Sequence, residues 1–261
     1  MLRPDRETKR LLLYCLGLAA SRYAVRLHAL CVMSNHYHLI ATDDRGVLPL
    51  FLQYFHRLVA IGVQRQRRWD EVVWEPNRQT SVVELLTSEA VIKQALYLLT
   101  NPVTAGLVQR STDWPGVVRA STFEVERPLC FEDGRLPERV DVTFEPLPSI
   151  GSGVDVESWV TSNLEAAERE ARAGRREACL GVARAMRVEP TSAPRTRRVR
   201  WQLSPRLAAV SREALREGIE ALQAFRAAYR DTLRRLKRGQ RTLFPNGTWL
   251  AVQRYGFEAE S

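Results

Sequence analysis

The sequence predicts an α+β fold over residues 1–123, then a linker at 124–154 and a mostly helical, basic region over 155–261. Three observations predict it. Apolar residues recur at helical spacing in three stretches of the first part, and β-prone apolar runs lie between them. Residues 124–154 are rich in Pro and Gly. Between Arg195 and Arg241 fourteen Lys/Arg stand against four Asp/Glu, a local +10 in a chain of net charge +9, so the remainder carries −1.

The first helix is read over Asp5–Tyr23, with Asp5 as its cap and Leu11, Leu12, Cys15, Leu16 and Ala19 as its apolar face. A strand follows over Arg26–Val32. A polar break at Ser34-Asn35 leads into a second strand that ends near Thr42, and Asp43-Asp44-Arg45-Gly46 is a turn. The second helix runs from about Leu48 to Arg68, with Leu52, Phe55, Leu58, Val59 and Val63 inward and His56 partly buried. Its end carries Arg65, Arg67 and Arg68, which either grip phosphates or complement the helix C-terminus. Trp69–Gln79 is a loop, Thr80–Leu85 a strand, and a third helix starts at Ser88 with an early acid. Asp113-Trp114-Pro115 closes this part.

Beyond the linker, which holds a short strand at Val140–Phe144, Glu157–Arg187 reads as helical and Thr191–Arg200 as a basic loop. A long amphipathic helix is expected from about Pro205 to Lys237. Leu215, Ile219, Leu222, Phe225, Tyr229, Leu233 and Leu236 form its stripe, read as core, with a homodimer seam as the alternative. Asn246-Gly247 marks a turn before the tail.

Two stretches carry chemistry. In Met33-Ser34-Asn35-His36-Tyr37-His38-Leu39, strand alternation puts His36 and His38 on one face and Tyr37 on the other. Two imidazoles so placed either converge on one divalent ion or form a plain surface feature. In the third helix Tyr97 and Asn101 stand four apart and share a face if the helix reaches Asn101. Pro102 disfavours helical geometry at Asn101, so the alternative is a buried tyrosine and a helix-ending Asn-Pro turn.

Together the two stretches resemble the REP-associated tyrosine transposases, a branch of the single-tyrosine HUH transposases of the insertion-sequence-200-like superfamily. The family pattern is Met-Pro-Asn-His-x-His-Leu, then Tyr-x-x-x-Asn-Pro-Val-x-Ala-Gly-Leu-Val. This chain has Met33 to Leu39 and Tyr97-Leu98-Leu99-Thr100-Asn101-Pro102-Val103-Thr104-Ala105-Gly106-Leu107-Val108. The resemblance covers residues 5–123 and, more loosely, the C-terminal part. It implies His36, His38 and Asn101 as ligands of Mg²⁺ or Mn²⁺, and Tyr97 as the nucleophile of a DNA transposase. That enzyme would cut and rejoin single-stranded or hairpin DNA through a 5′-phosphotyrosine. It also implies a ferredoxin-like antiparallel sheet that begins with a strand before the first helix. Here only Met1–Pro4 precede Asp5, so that strand is absent or the start lies inside a longer reading frame; its absence would expose an edge beside the His-x-His strand. Where the family continues Asp-Trp-Pro with a tryptophan and serines, this chain has Gly116-Val117-Val118, and no DNA contact is placed there.

The basic C-terminal part adds candidate DNA contacts: Arg197, Arg198 and Arg200 in the loop, and Arg234, Arg235, Lys237 and Arg238 at the end of the long helix. No apolar run is long enough to span a membrane and no secretory signal is visible. Four scattered cysteines, with Cys15 and Cys31 read as buried thiols, fit a reducing cytoplasm. The runner-up is a domesticated, non-cleaving nucleic-acid-binding protein on the same scaffold, and a third reading is a decayed transposase fragment. No aromatic RNA-binding signature is visible, which counts against plain RNA recognition.

Overall fold

In the computed structural model, Asp5 caps α1 (Arg6–Tyr23), accepting the Thr8 amide at 2.8 Å. The structure describes residues 2–3, 5–75, 80–131, 135–151, 153–173, 175, 178–188, 206–248, 252 and 256–259. After α1 come β1 (Arg26–Val32), β2 (Tyr37–Thr42) and α2 (Leu48–Arg67). β3 (Glu84–Leu85) precedes α3 (Ser88–Thr104), and β4 (Val117–Arg119) follows it. β5 (Thr122–Glu126), β6 (Arg139–Thr143), α4 (Val156–Ala173), α5 (Val182–Ala185), β7 (Leu207–Ala208) and α6 (Arg212–Lys237) complete the chain order.

The result is an α+β fold around a small antiparallel sheet of order β2–β1–β4. β1 is central, with Cys31 opposite both His38 and Val117. Its side chains alternate between two cores. Leu30 and Val32 pack with α1 and α2, whereas Ala29, Cys31 and Met33 pack with α3 and α4. Helices therefore lie on both faces of the sheet. β2 is an edge strand, and among the described residues nothing pairs with its outer side.

Several expectations are corrected. The run Thr80–Leu85 does not join the main sheet: only Glu84–Leu85 is extended, and it pairs in parallel with Leu207–Ala208. The third strand is Val117–Arg119, because Gly116 lets the chain come against the end of β1, where any Cβ would strike the Val32 carbonyl. Residues 124–154 are not a linker. They contribute most of the β5–β6 hairpin, which packs on α1 and buries Val125, Phe131, Val142 and Phe144 in the same core as α1 and α2. Packing also crosses the expected boundary at 123 on the other face, where Val156 and Val160 of α4 join Val91, Leu98 and Val103 of α3. The helical stretch expected to reach Arg187 breaks into α4 and α5. Between them Leu180 and Gly181 donate to the carbonyls of Gly106 and Leu107, at 2.7 and 2.8 Å.

α6 starts later than expected, at Arg212, because the Ser211 hydroxyl accepts from the Ala214 amide and caps the helix there. Its apolar stripe is not core, since Thr232 is its only fully buried residue. One side of the stripe meets a thin layer: Gly218 lies against Leu86 and Leu207, and Tyr229 against Phe244. Ile219 and Phe225 remain 41% and 36% exposed. No helix among the described residues is long and apolar enough to cross a membrane.

Trp114, 1% exposed, fastens the end of β1: its indole N–H donates to the Val32 carbonyl at 2.7 Å. Trp114→Ala removes a fully buried indole and orphans that carbonyl, an expected loss of about 3–5 kcal/mol. Urea unfolding measures it, and a loss below about 1 kcal/mol would show that the indole is not the fastener.

His28 sits in the bulge of β1 and is 1% exposed. Its Nδ1–H donates to the Pro146 carbonyl at 2.7 Å and its Nε2 accepts from the Thr42 hydroxyl at 2.8 Å. Burial holds its pKa below 6.5, outweighing the Pro146 carbonyl and the Glu145 charge that pull it up. The unfolded chain therefore binds more protons in mild acid. The stability concerned is present above pH 6.5 and is lost as pH falls through the folded value. His36, His38 and His56 are lowered as well, so their contributions carry the same sign. His28→Gln is expected to flatten part of the decline in urea midpoint from pH 7 to pH 5. A profile parallel to the unsubstituted protein's would remove His28 from that account.

Candidate active site

The candidate site forms where the start of β2 meets the exposed side of α3. The turn from β1 into β2 is held by backbone bonds. Met33 donates to the His36 carbonyl, Leu2 to Ser34 and Val32 to Gly116, each at 2.8 Å. His36 comes just before the strand and His38 lies within it. Both point with Ile40 toward α3, while Tyr37, Leu39 and Ala41 face the α1–α2 layer. The alternation read from the sequence holds.

α3 begins at Thr87, whose hydroxyl accepts the Ala90 amide at 3.2 Å. Val91, Ala95, Leu98, Leu99 and Val103 bury its inner face. The helix does not stop at Asn101: it runs through Pro102 to Thr104 and closes where Ala105 donates back to the Asn101 carbonyl. Pro102 removes a single helical donor, and the fully buried Val103 beyond it keeps the last turn on the sheet. Tyr97 and Asn101 therefore share one face a turn apart. Tyr97 is 54% exposed, so it is not the buried tyrosine of the alternative reading.

The two elements bring the four residues together. The rings of His36 and His38 stand 4.9 Å apart and perpendicular. The Tyr97 ring meets His38 edge-on at 5.4 Å. Asn101 Nδ2 donates to His38 Nε2 at 3.3 Å. Burial lowers the pKa of both histidines. For His38, the charge of His36 adds to burial and the value falls to about 4. Both imidazoles are therefore neutral at pH 7. The hydrogen bonds set their tautomers: His36 Nδ1–H donates to Asn35 Oδ1 at 2.7 Å, leaving the Nε2 lone pair free, and His38 presents its Nε2 lone pair to Asn101.

These residues fit a divalent ion. Two neutral imidazoles and a carboxamide oxygen are three donors that leave positions for water and a phosphate oxygen. The 3.3 Å between Asn101 and His38 is close to the ~3 Å between neighbouring donors around an ion with 2.0–2.1 Å bonds. Rotating the amide would exchange its N–H donor for the oxygen. No cluster of three His, Cys, Asp or Glu occurs among the described residues; the third donor here is an amide.

The other candidates are dispersed. Arg67 is corrected: its guanidinium donates to Asp5 and Thr8 at 3.1 and 2.8 Å, tying α2 to the start of α1 rather than reaching outward. Arg65 donates to the Cys130 carbonyl, while Arg68 is exposed in the left-handed residue that ends α2. Arg234, Arg235, Lys237 and Arg238 are all exposed at the end of α6. Arg197, Arg198 and Arg200 lie outside the described residues.

Three residues near the site were not singled out from the sequence. Asn35 sets the tautomer of His36. Lys93, one turn before Tyr97 on the same face, is exposed and makes no ion pair among the described residues. Trp114 holds the strand end that leads into the turn. Only Asn35 had a signal in sequence, as the neighbour of a candidate ligand. No family model, curated protein or solved structure matches the chain.

Proposed function

We propose that the protein is a DNA strand transferase of the single-tyrosine HUH type, related to the REP-associated tyrosine transposases and acting on single-stranded or hairpin DNA in the cytoplasm. The observation that carries this reading is the exposed Tyr97 against His38, one helical turn from Asn101. The reading takes β1, β2 and the two helices behind them as part of a ferredoxin-like scaffold, on the strength of the α1–β1–β2–α2 order.

Tyr97 Oη attacks the phosphorus of a phosphodiester. An Oη–P bond forms, the P–O3′ bond breaks, and the electron pair leaves on the 3′ oxygen, which takes up a proton as the phenol loses one. The products are a 5′-phosphotyrosine and a free 3′ hydroxyl, with the number of phosphoester bonds conserved, so rejoining needs no ATP. His36, His38 and Asn101 would hold Mg²⁺ or Mn²⁺, which when bound supplies positive charge to the scissile phosphate. The neutral state of both histidines keeps their lone pairs available at physiological pH. Lys93 supplies a cation about 6 Å along the helix from Tyr97, within reach of a flanking phosphate. An unpaired strand suits this exposed site because the phosphate and its neighbouring bases are accessible without melting a duplex.

The test is a denaturing gel of end-labelled single-stranded and hairpin DNA incubated with protein and Mg²⁺ or Mn²⁺. A metal-dependent, protein-linked band is the expected result. Tight binding of those DNAs with no such band would replace this reading with a non-cleaving DNA-binding protein.

A further inference from the structure

Among the described residues β2 has only one strand neighbour, yet its first residues must hold two imidazoles in a fixed relation. An edge strand constrained on one side frays at its ends. Something else has to fix this end, and the residue between the histidines is placed to do so. Tyr37 points to the opposite face, where its hydroxyl donates to His56 Nε2 of α2 at 2.6 Å. Its ring meets Phe55 at 5.5 Å and Trp74 at 6.1 Å, both edge-on. The Trp74 indole N–H donates to the His56 carbonyl at 2.8 Å, so the segment after α2 closes over the same contact. Burial raises the Tyr37 pKa and lowers that of His56, so the phenol stays a donor and the imidazole an acceptor through neutral pH.

We propose that Tyr37 and His56 are positioning residues that clamp the edge strand to α2 and so hold His36 and His38 in ligand geometry from behind. The inference rests on the reading of those two histidines as metal ligands. A peptide segment held only by β1 could twist about its axis, turning both rings together. A hydrogen-bonded phenol on the opposite face blocks that rotation because successive side chains are rigidly opposed across the strand. This is orientation of ligands from the next layer of the structure, exerted through the backbone rather than through a ring nitrogen.

The experiment measures Mn²⁺ binding to the full chain by the electron paramagnetic resonance signal of free Mn²⁺. Tyr37→Phe keeps the ring and removes one oxygen, and His56→Leu removes the acceptor. Each is expected to weaken Mn²⁺ binding roughly tenfold or more, with the double variant no worse than either single one. His56→Gln returns an acceptor for the hydroxyl and should recover most of the affinity, which simple loss of packing would not allow. Unchanged Mn²⁺ affinity in Tyr37→Phe overturns the clamp. If the unsubstituted protein takes up no Mn²⁺, the metal reading fails. The clamp is then decided by the imidazole nuclear magnetic resonance signals of His36 and His38. Signals that shift or multiply in Tyr37→Phe uphold it, and unmoved signals overturn it.

Discussion

Tyr97→Phe is expected to fold, to bind DNA as the unsubstituted protein does, and to form no covalent adduct. The Tyr97 side chain is 54% exposed, and among the described residues its hydroxyl makes no hydrogen bond. Removing it should change stability by no more than about 0.5 kcal/mol, because no buried group is orphaned. The edge-on contact with His38 belongs to the ring and survives. On the proposed reading the chemistry does not survive, because the oxygen removed is the atom that would bond to phosphorus. Losing a nucleophile costs on the order of 10³-fold or more, beyond what a labelled-DNA gel detects. The other tyrosines are poorly placed to substitute. Tyr14 is fully buried and donates to the Pro137 carbonyl. Tyr37 is fastened to His56 on the opposite face, and Tyr23 and Tyr54 pack on each other at 6.0 Å. Tyr229 packs on Phe244 in the C-terminal region, and Tyr255 lies outside the described residues. A band that persists at full strength in Tyr97→Phe would assign the nucleophile elsewhere. A variant that loses DNA binding along with the band would make Tyr97 a binding residue.

What was legible in the sequence is what local periodicity encodes. α1, α2 and the alternation around Tyr37 follow from spacing alone, since 3.6 and 2.0 residue periods fix which side chains share a face. The convergence of His36, His38 and Asn101 was implied instead by the resemblance of Met33–Leu39 and Tyr97–Val108 to the transposase family, because strand spacing cannot say which helix covers the strand. The failures have physical causes. Val117–Arg119 is three residues long, too short for a periodicity, and it joins the sheet because Gly116 permits a close approach that only tertiary structure reveals. Pro102 was weighed by its local cost, whereas burial of Val103 beyond it carries the helix onward. Residues 124–154 were read as linker from Pro and Gly content. The β5–β6 pair, which lies mostly inside them, is set by cross-strand contacts such as Val125 with Val140, which composition cannot show. The α6 stripe was read as core from its spacing, but a helical period reports an apolar face and not how much of it the rest of the chain covers.

That open geometry makes α6 the place where charge should matter most. From Arg226 to Arg238 six Lys/Arg stand against one Asp, and all six cations are exposed. Among the described residues none of them makes an ion pair; Arg230 bonds to a carbonyl of its own helix. Converting Arg226, Arg230, Arg234, Arg235, Lys237 and Arg238 to Gln keeps helix propensity nearly constant and removes six positive charges. The folded state should lose little, about 0.3–1 kcal/mol for each charge that favours the last helical turn. DNA binding should lose far more. Each phosphate contact on a single strand steepens the dependence of log affinity on log salt by about 0.7, so six contacts amount to about 4 in slope. The affinity loss near 0.1 M salt is then on the order of 10⁴-fold if all six engage, and smaller in proportion if fewer do. Binding isotherms on one single-stranded DNA at several salt concentrations read both quantities. A reduced slope with melting behaviour intact assigns α6 to the DNA. An unchanged slope and affinity would leave these cations as a solvated helix face and shift the search for the DNA path to Lys93, one turn from Tyr97 on α3.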